Sequence, residues 1–448
     1  MTKTDNPIFD LELKIGMTLY ETDTPGVKGI LRHRPEDFYV EEISDIQVSP
    51  VGTGNKSLKY LVFELTKNNW DTNHFLKALS NSLGISHKRI SYAGTKDKRA
   101  VTVQKMSVYD VSEEALNNVS LKDISIRVLG KSQNPVALGD LDGNLFKITL
   151  RNIDFSPEET LRMAEKTTLE IAASGGVPNF FGIQRFGTKR PMTHLVGQDI
   201  LSGNLEKAVM RYIAESYPDE SEETKAVRNY ILETNDLKGG LAKMPDHLGH
   251  EKALLNHLIA YPGDYKGAFM VLPKNLYTMF VHAYQSYLFN QIICKRLEAG
   301  LLLNRAEIGD IVCYRRGKIP DPDRLETVDA ENREGINNLL RRKRAFITAP
   351  LFGSETPLAG GIPGEIERSV IEMTGFSADD FKVPAFPETA SKGLRKEILL
   401  EVEPTFLAAK DDDFPEKTAL TLHFSLPKGS YATTVLREYM KTDPLDMS

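Results

Sequence analysis

A single acidic side chain lies within a basic stretch, "SYAGTKDKRAVTVQ", at residues 91–104. Asp97 has Lys96, Lys98 and Arg99 as its neighbours. Nearby positive charge favours the ionised form of a carboxylate, which is the form that acts as a nucleophile or a base. The same cations can bind the phosphates of a nucleic acid. The residues alone leave a second interpretation open, a solvated loop whose mixed charges have no chemical role.

A second stretch combines aromatic rings with cations. The sequence "PNFFGIQRFGTKR" (178–190) contains Phe181 and Arg185 among its phenylalanines and basic residues. Aromatic rings stack on bases and arginine pairs with phosphates, so this stretch is a candidate RNA contact. For any single phenylalanine, a place in the core is the simpler interpretation.

A third stretch, "PKGSYATTVLRE" (427–438), predicts a turn followed by a helix. Ser430 is of a residue type that often caps helix N-termini. The backbone N–H groups at such a terminus, together with Lys428, can accept a phosphate. An ordinary C-terminal helix without a ligand fits the same pattern.

The loop that carries Asp97 is predicted to join two strands, "RISYAG" before it and "AVTVQKMSV" after it. Upstream, "LKYLVFEL" (58–65) predicts another strand. Asp71 or Thr72 can then cap a helix that ends at Gly84. A loop on such a scaffold can hold a reactive group at the surface.

Two further stretches near the N-terminal end predict strands. "GNLFKITLR" (143–151) alternates apolar and polar residues, as a half-buried strand does. A helical pattern follows it from Ser156 to about Ala173. "GILRHRPEDFYVEEI" (29–43) predicts a strand, a turn at Pro35 and a second strand.

The middle of the chain differs from its two ends. It is largely helical and charged, and its longest predicted helix runs from about Asn275 to Ala299. From about Thr418 the pattern returns to strand, turn and helix. Strand-rich ends around a helical centre predict an α+β fold and suggest an insertion.

Composition excludes several classes of protein. The 448 residues are 41% hydrophobic and 26% charged, with a net charge of −6, which is ordinary for a soluble globular protein of roughly two to four domains. No run approaches the roughly 18 apolar residues of a membrane span, and the N-terminal stretch lacks the order of a signal peptide. Two cysteines without a partner pattern fit a reducing cytosol, and nine histidines show no ligand spacing. We therefore expect a cytoplasmic protein without a catalytic metal.

Six segments in order resemble the TruD family of tRNA pseudouridine synthases from near residue 29 to the end. They are "RPEDFYVEE", "YAGTKDKRAVTVQ", "GNLFKITLR", "VPNFFGIQRFG", "AYQSYLFN" and "SLPKGSYATTVLRE". The resemblance implies a pseudouridine-synthase-like catalytic domain with a mixed, mainly antiparallel sheet flanked by helices. It also implies an inserted, mainly helical α+β module specific to TruD. The expected domains are 1–175 and 401–448 for the catalytic domain and 176–400 for the module.

The resemblance also implies site residues, position by position. The catalytic aspartate of the family falls on Asp97, and the basic residue that pairs with it falls on Arg32, where a relative has lysine. An active-site asparagine falls on Asn144, and the aromatic residue that stacks on the target base falls on Phe146. Further substrate contacts are expected from Lys96, Lys98, Arg99, Phe181, Arg185, Lys428 and Ser430.

The implied reaction is the isomerisation of uridine to pseudouridine in tRNA, with position 13 as the expected site. It requires no cofactor and no metal, and the target base must be flipped into the site. Asp97 could attack C1′, add to C6 or remove the 2′ proton, and the sequence does not choose among these. The expected partner is tRNA, without a membrane or an obligatory protein partner.

Two other classes of function compete with this interpretation. A non-catalytic RNA-binding or chaperone protein would bind RNA without turnover. Such a protein would be expected to have an altered Asp97, whereas the loop here is intact. Another RNA-modifying enzyme, such as a methyltransferase, would need the glycine-rich loop of a Rossmann-type cofactor site, which is not evident.

Overall fold

The structure, a computed structural model, describes residues 8–51, 57–316 and 319–447. These residues form two compact units. The sheet unit comprises Thr22–Val177, Leu400–Thr442 and 446–447. The helical unit comprises residues 8–21, Pro178–Leu399 and Asp443–Leu445. Each unit is therefore assembled from separate parts of the chain.

Strands β1 to β14 follow one another along the described part of the chain. Their bounds are Phe38–Ile43, Tyr60–Asn68, Ile90–Tyr92, Val101–Tyr109, Ile124–Ser132, Gly143–Ile153, Val177–Pro178, Ile311–Arg316, Ile319–Thr327, Ala345–Leu351, Leu394–Glu397, Leu399–Leu400, Thr405–Lys410 and Thr418–Pro427. Helices α1 to α14 are numbered in the same way. Their bounds are Asp10–Lys14, Thr72–Leu83, Glu113–Asn117, Pro157–Ala173, Thr193–Leu201, Leu205–Ala214, Glu222–Thr234, Leu237–Lys243, Gly249–Ala260, Tyr265–Met270, Lys274–Glu298, Arg333–Arg341, Gly361–Glu372 and Ala432–Met440.

The sheet unit is built on an eight-stranded sheet in the order β13-β14-β6-β1-β4-β2-β5, with β3 paired to β4. Strands β1 and β4 are parallel, and the other neighbours are antiparallel. The sheet is therefore mixed and mainly antiparallel, as the family resemblance implies.

Two apolar clusters cover one face of this sheet. One cluster lies under α4 and α14 and contains Phe38 and Val40 of β1 together with the inward residues of β6 and β14. Under α2, the other cluster contains Leu61, Phe63 and Leu65 of β2. Because side chains on one face recur every second residue, the next inward positions on these strands are residues 42 and 67. Both are charged, and they lie between the two clusters.

The helical unit has its own antiparallel sheet, in the order β11-β10-β8-β9. The long helix α11 packs against α5, α13 and β10. Gly197 allows α5 and α11 to approach closely, because a Cβ atom there would lie 2.0 Å from the carbonyl oxygen of Phe280. Among the described residues, no helix combines the length and apolar character that crossing a membrane requires. Both units mix helices with a sheet, so the predicted α+β class is confirmed.

Several elements confirm the sequence predictions. Helix α2 begins after Asp71, whose side chain accepts hydrogen bonds from two backbone N–H groups, and ends at Gly84 in the left-handed conformation. The predicted strand at 143–151 is β6, and the predicted long helix is α11. Local periodicity and capping residues were sufficient in these cases.

Two local predictions are wrong. The predicted strand before Pro35 is reduced to one isolated bridge between Ile30 and Arg151, because the chain turns at Arg32. Ser430 does not cap the last helix. That helix begins at Ala432, and the Ser430 backbone N–H instead closes a turn onto Pro427.

The predicted domain boundaries stay a prediction. The helical unit contains Pro178–Leu399, which lies close to the predicted module of 176–400. It also contains residues 8–21, which were predicted to belong to the catalytic domain.

Candidate active site

Asp97 lies on the loop between β3 and β4, in the sheet unit. Its carboxylate is 53% exposed, and its Oδ2 atom lies 3.4 Å from Nη2 of Arg32. The loop was predicted from the sequence pattern, and the pair was implied by the family resemblance. A carboxylate on an exposed loop beside a cation is accessible to a ligand in its ionised form.

Arg32 is held in place by its surroundings. Its backbone adopts the left-handed conformation, with φ of 56°, which costs a residue with a Cβ atom about 1 kcal/mol or more. Its guanidinium carbon lies 4.0 Å from the centre of the Phe38 ring, a cation–π contact. Burial lowers the pKa of Arg32, and the charge of Asp97 opposes this shift.

Three buried side chains hold the Asp97 loop from the sheet below it. Lys67 of β2 donates from Nζ to the backbone oxygen of Asp97 at 2.8 Å. Gln104 of β4 donates to the backbone oxygen of Gly94 at 3.1 Å. Glu42 of β1 binds the Lys96 ammonium at 2.9 Å, with both side chains buried. Three neighbouring strands thus fix the shape of one loop.

These side chains belong to a polar strip on the sheet, between the two apolar clusters. The polar strip consists of Glu42, Lys67, Thr102, Gln104 and Asn144. Thr102 pairs with Lys67, and Glu42 pairs with Asn144, in the strand register. One side-chain oxygen on each member except Lys67 is buried and has no hydrogen-bond partner among the described residues. Unsatisfied buried acceptors are costly in a plain core and are typical of functional sites.

Asn144 and Phe146 lie next to each other on this face of β6. The unpartnered atom of Asn144 is Oδ1, an acceptor. Phe146 is 5% exposed, and its ring stacks on Phe424 at 5.4 Å and meets the edge of Phe38 at 6.3 Å. The asparagine therefore offers a free acceptor, whereas the Phe146 ring is largely covered by other rings.

The other residues of the sheet unit that were predicted to contact the substrate differ in their exposure and in their hydrogen-bond partners. Lys98 and Arg99 are exposed, and Arg99 donates to the backbone oxygen of His33 at 3.2 Å. Lys428 is exposed and donates to the backbone oxygen of Gly139 at 2.9 Å. The Ser430 hydroxyl is buried without a partner among the described residues. Unlike Lys98 and Arg99, Lys96 directs its charge toward a buried carboxylate.

Phe181 and Arg185 lie in the helical unit. Phe181 is 8% exposed, packs against Phe289 and receives a hydrogen bond on its backbone oxygen from Asn290. Arg185 lies 5.8 Å from the Phe181 ring and donates to the Ser286 hydroxyl at 3.2 Å. The Phe181 side chain is thus part of the interior of its unit.

Comparison with known proteins assigns the chain to a family. A family model described as tRNA pseudouridine synthase D (TruD) matches residues 14–439. A relative from Methanosarcina mazei, named "Probable tRNA pseudouridine synthase D", is 55% identical over 440 residues, or 98% of this chain and 99% of the relative. The chain belongs to the TruD family. A relative of the same name from Natronomonas pharaonis is 42% identical over 448 residues, with 98% and 99% covered.

A solved structure also matches along the whole chain. The crystal structure of a TruD protein from Methanosarcina mazei has a TM-score of 0.88 and 54% identity, and the match covers 99% of this chain and 100% of that chain. The predicted pseudouridine-synthase-like fold and TruD membership are confirmed. The roles of individual site residues in this TruD chain stay predictions.

The supporting residues Glu42, Lys67 and Gln104 were not predicted from the sequence. A charged residue on an otherwise apolar face of a strand could have indicated two of them, Glu42 and Lys67. Leu61, Phe63 and Leu65 are followed on that face by Lys67. A buried charge needs a partner, so such a break in the alternation points to a functional or structural ion.

Proposed function

We propose that the chain isomerises uridine to pseudouridine in tRNA, with Asp97 as the essential carboxylate. The observation that carries the proposal is the exposed Asp97 carboxylate beside buried Arg32, on a loop held by buried polar side chains. Membership of the TruD family supplies the class of reaction and of substrate.

The reaction rearranges one nucleoside without a net change in its atoms. The bond from C1′ to N1 of uracil breaks, and a bond from C1′ to C5 forms. The proton on C5 is released, and N1 takes up a proton. An ionised Asp97 serves each of three routes, which are attack on C1′, addition to C6 and removal of the 2′ proton. No electron donor or acceptor is needed for this balance.

The target uridine must leave its stack to reach Asp97. Flipping a base costs a few kcal/mol, which contacts in the pocket offset. In the proposed complex, Asn144 accepts a hydrogen bond from N3–H of uracil through its unpartnered Oδ1 atom. Phe146 lies on the same face of β6 as Asn144, and its ring stacks on Phe424.

Exposed cations next to Asp97 suit the phosphates that flank the flipped nucleotide. Lys98 and Arg99 immediately follow the carboxylate in sequence and are exposed. Phosphate contacts fix the register of an RNA without reading its bases. The site proposed for modification is uridine 13 of tRNA, on the basis of the family resemblance.

Tritium release tests the proposed reaction directly. A tRNA transcript labelled with tritium at C5 of uridine loses its label when C5 bonds to C1′. We expect release with the wild-type chain, no measurable release with Asp97→Asn, and retained binding of tRNA by that variant. Chemical mapping of pseudouridine in the product should identify position 13.

Asp110→Asn is the matched control for this experiment. Asp110 is an exposed aspartate of the sheet unit that lies 3.8 Å from Arg89, away from the Asp97 loop. The Asp110→Asn variant should release tritium at the wild-type rate. Release by Asp97→Asn at a near-normal rate would overturn the assignment of Asp97, and no release by the wild-type chain from any tRNA would overturn the proposed reaction.

A further inference from the structure

We infer that Lys67 is a positioning residue for the reaction, which holds the Asp97 loop by its ammonium group and supplies a second positive charge near Asp97. This inference rests on the proposed function. Lys67 touches neither the substrate nor the reacting atoms, and it acts through Asp97.

The position of Lys67 is unusual for a lysine. Its side chain is completely buried, on a strand whose other inward residues are Leu61, Phe63 and Leu65. Lysine is almost never buried without a specific partner, because the charged group loses its hydration. A leucine or methionine at this position would continue the apolar face of β2 without that cost.

The contacts of Lys67 explain what the charge does there. Its Nζ atom donates to the backbone oxygens of Trp70 at 2.6 Å and of Asp97 at 2.8 Å. Trp70 directly precedes Asp71, the N-cap of α2. Lys67 thus ties the start of this helix and the Asp97 loop to the same point of the sheet. A shift of about 1 Å in a reacting group can cost roughly a hundred-fold in rate.

The electrostatic role follows from the groups that face Lys67. Asp97 and Asp71 favour its charged form, Lys96 disfavours it, and burial disfavours it most. Burial lowers the pKa of Lys67 to about 8. At pH 7 the Lys67 ammonium is therefore charged, and it loses this charge as the pH rises through about 8.

Steady-state kinetics on tRNA test the inference with Lys67→Met, which keeps the length of the side chain and removes its charge and donors. We expect kcat to fall roughly ten- to hundred-fold at pH 7, with KM nearly unchanged. Lys105→Met is the matched control. Lys105 lies on neighbouring β4 and donates to the backbone oxygen of Ser44 at 2.6 Å, so its loss should leave kcat near the wild-type value.

The pH profile separates a charge effect from a loss of packing. In the wild-type chain, kcat should decrease as the pH rises through about 8, because Lys67 becomes neutral. The kcat of Lys67→Met should not show this decrease. The ratio of wild-type kcat to variant kcat should therefore become smaller above pH 8. Lys67→Arg keeps a charge at all these pH values and should extend the plateau of kcat to higher pH.

The possible outcomes are distinct. A wild-type chain that does not isomerise uridine refutes the proposed function. A wild-type chain that is active while Lys67→Met retains its kcat refutes the role of Lys67 alone. If Lys67→Met is folded and its kcat is reduced by the same factor at pH 7 and pH 9, the role of Lys67 is purely structural. This result also refutes the inference. Circular dichroism establishes that each variant is folded. If Lys67→Arg does not fold, the comparison of Lys67→Met with the wild-type chain is sufficient to test the inference.

Discussion

The Arg32 guanidinium is 11% exposed, whereas the Asp97 carboxylate that lies 3.4 Å from it is 53% exposed. An ion pair on the open surface contributes little, because water and mobile side chains weaken it. Here the cation is fixed by burial and by the Phe38 ring, and only the anion faces solvent. A ligand can therefore approach Asp97 without displacing Arg32. The pair therefore fixes the position of the Asp97 carboxylate, and we expect its contribution to stability to be small.

Replacement of Arg32 should lower the rate more than it lowers affinity. In Arg32→Ala, Asp97 loses its ion pair, so we expect kcat to fall roughly ten- to hundred-fold with a small change in KM. Arg32→Lys should restore part of the rate, because lysine supplies the charge but not the planar fork of arginine. Tritium release at saturating tRNA measures both effects.

Arg34→Ala is the control for these variants. Arg34 lies two residues away and binds the carboxylates of Asp412 and Asp413, not that of Asp97. It should keep the wild-type kcat. An Arg32→Ala variant that turns over as fast as Arg34→Ala would show that the ion pair has no part in the reaction.

Asn144→Leu should impair the use of uridine without unfolding the chain. Leucine is similar in size but offers no acceptor, so the uracil N3–H would be buried without a partner, at a cost of about 1–3 kcal/mol. That corresponds to roughly a five- to 150-fold decrease in kcat/KM. Asn134→Leu, at an exposed position of the same unit, should leave kcat/KM unchanged. Equal values for the two variants contradict a contact between Asn144 and the base.

Elements with local patterns could be predicted from the sequence, and contacts between distant residues could not. The Asp71 cap, the Gly84 end and the alternation of β6 are all encoded within a few residues. The Asp97 loop was predictable because both flanking strands have such patterns. By contrast, the burial of Lys96 depends on Glu42, which lies 54 residues earlier in the chain. A basic run gives no indication of which cation is turned inward.

The conformation of Arg32 illustrates a second limit. A positive φ is uncommon for arginine, so the residue type predicts extended or helical backbone at this position. The resemblance to the TruD family identified Arg32 as a partner of Asp97. It did not reveal that the turn at Arg32 replaces the predicted strand before Pro35.

Arg151 forms ion pairs with all three aspartates at 411–413 in the sheet unit. Arg151 is buried and donates to Asp37 and Asp411 at 2.7 and 2.8 Å. Arg151→Met would leave these two buried carboxylates without their cation, so we expect the free energy of unfolding to fall by about 3–5 kcal/mol. Denaturant titration followed by the fluorescence of Trp70, the single tryptophan of the chain, reports on this unit.

Arg127→Met is the matched control, because it removes an ion pair of similar length from the same sheet. Arg127 is 67% exposed and lies 2.8 Å from Glu64. Its loss should change the free energy of unfolding by less than about 1 kcal/mol. Equal effects of the two substitutions contradict the view that burial decides the contribution of Arg151.

Acid should destabilise the helical unit through His194. This side chain is 2% exposed, stacks on Tyr287 and meets the edge of Phe186. Burial lowers the pKa of His194 to about 4 in the folded chain, from an ordinary value near 6.5. Between these values the unfolded chain binds a proton that the folded chain does not, so the free energy of unfolding falls as the pH falls from about 6.5 to 4.

His194→Phe keeps an aromatic ring between Phe186 and Tyr287 and removes the titrating group. One pKa unit corresponds to about 1.4 kcal/mol, so the His194 contribution to acid destabilisation reaches roughly 3 kcal/mol at pH 4. The variant should therefore lose less stability than the wild-type chain between pH 6.5 and 4. Denaturant titrations followed by circular dichroism, which reports on the helices, measure this difference at each pH. Parallel pH dependences for the two proteins contradict a neutral His194 in the folded state, because the proton uptake on unfolding must then come from other groups.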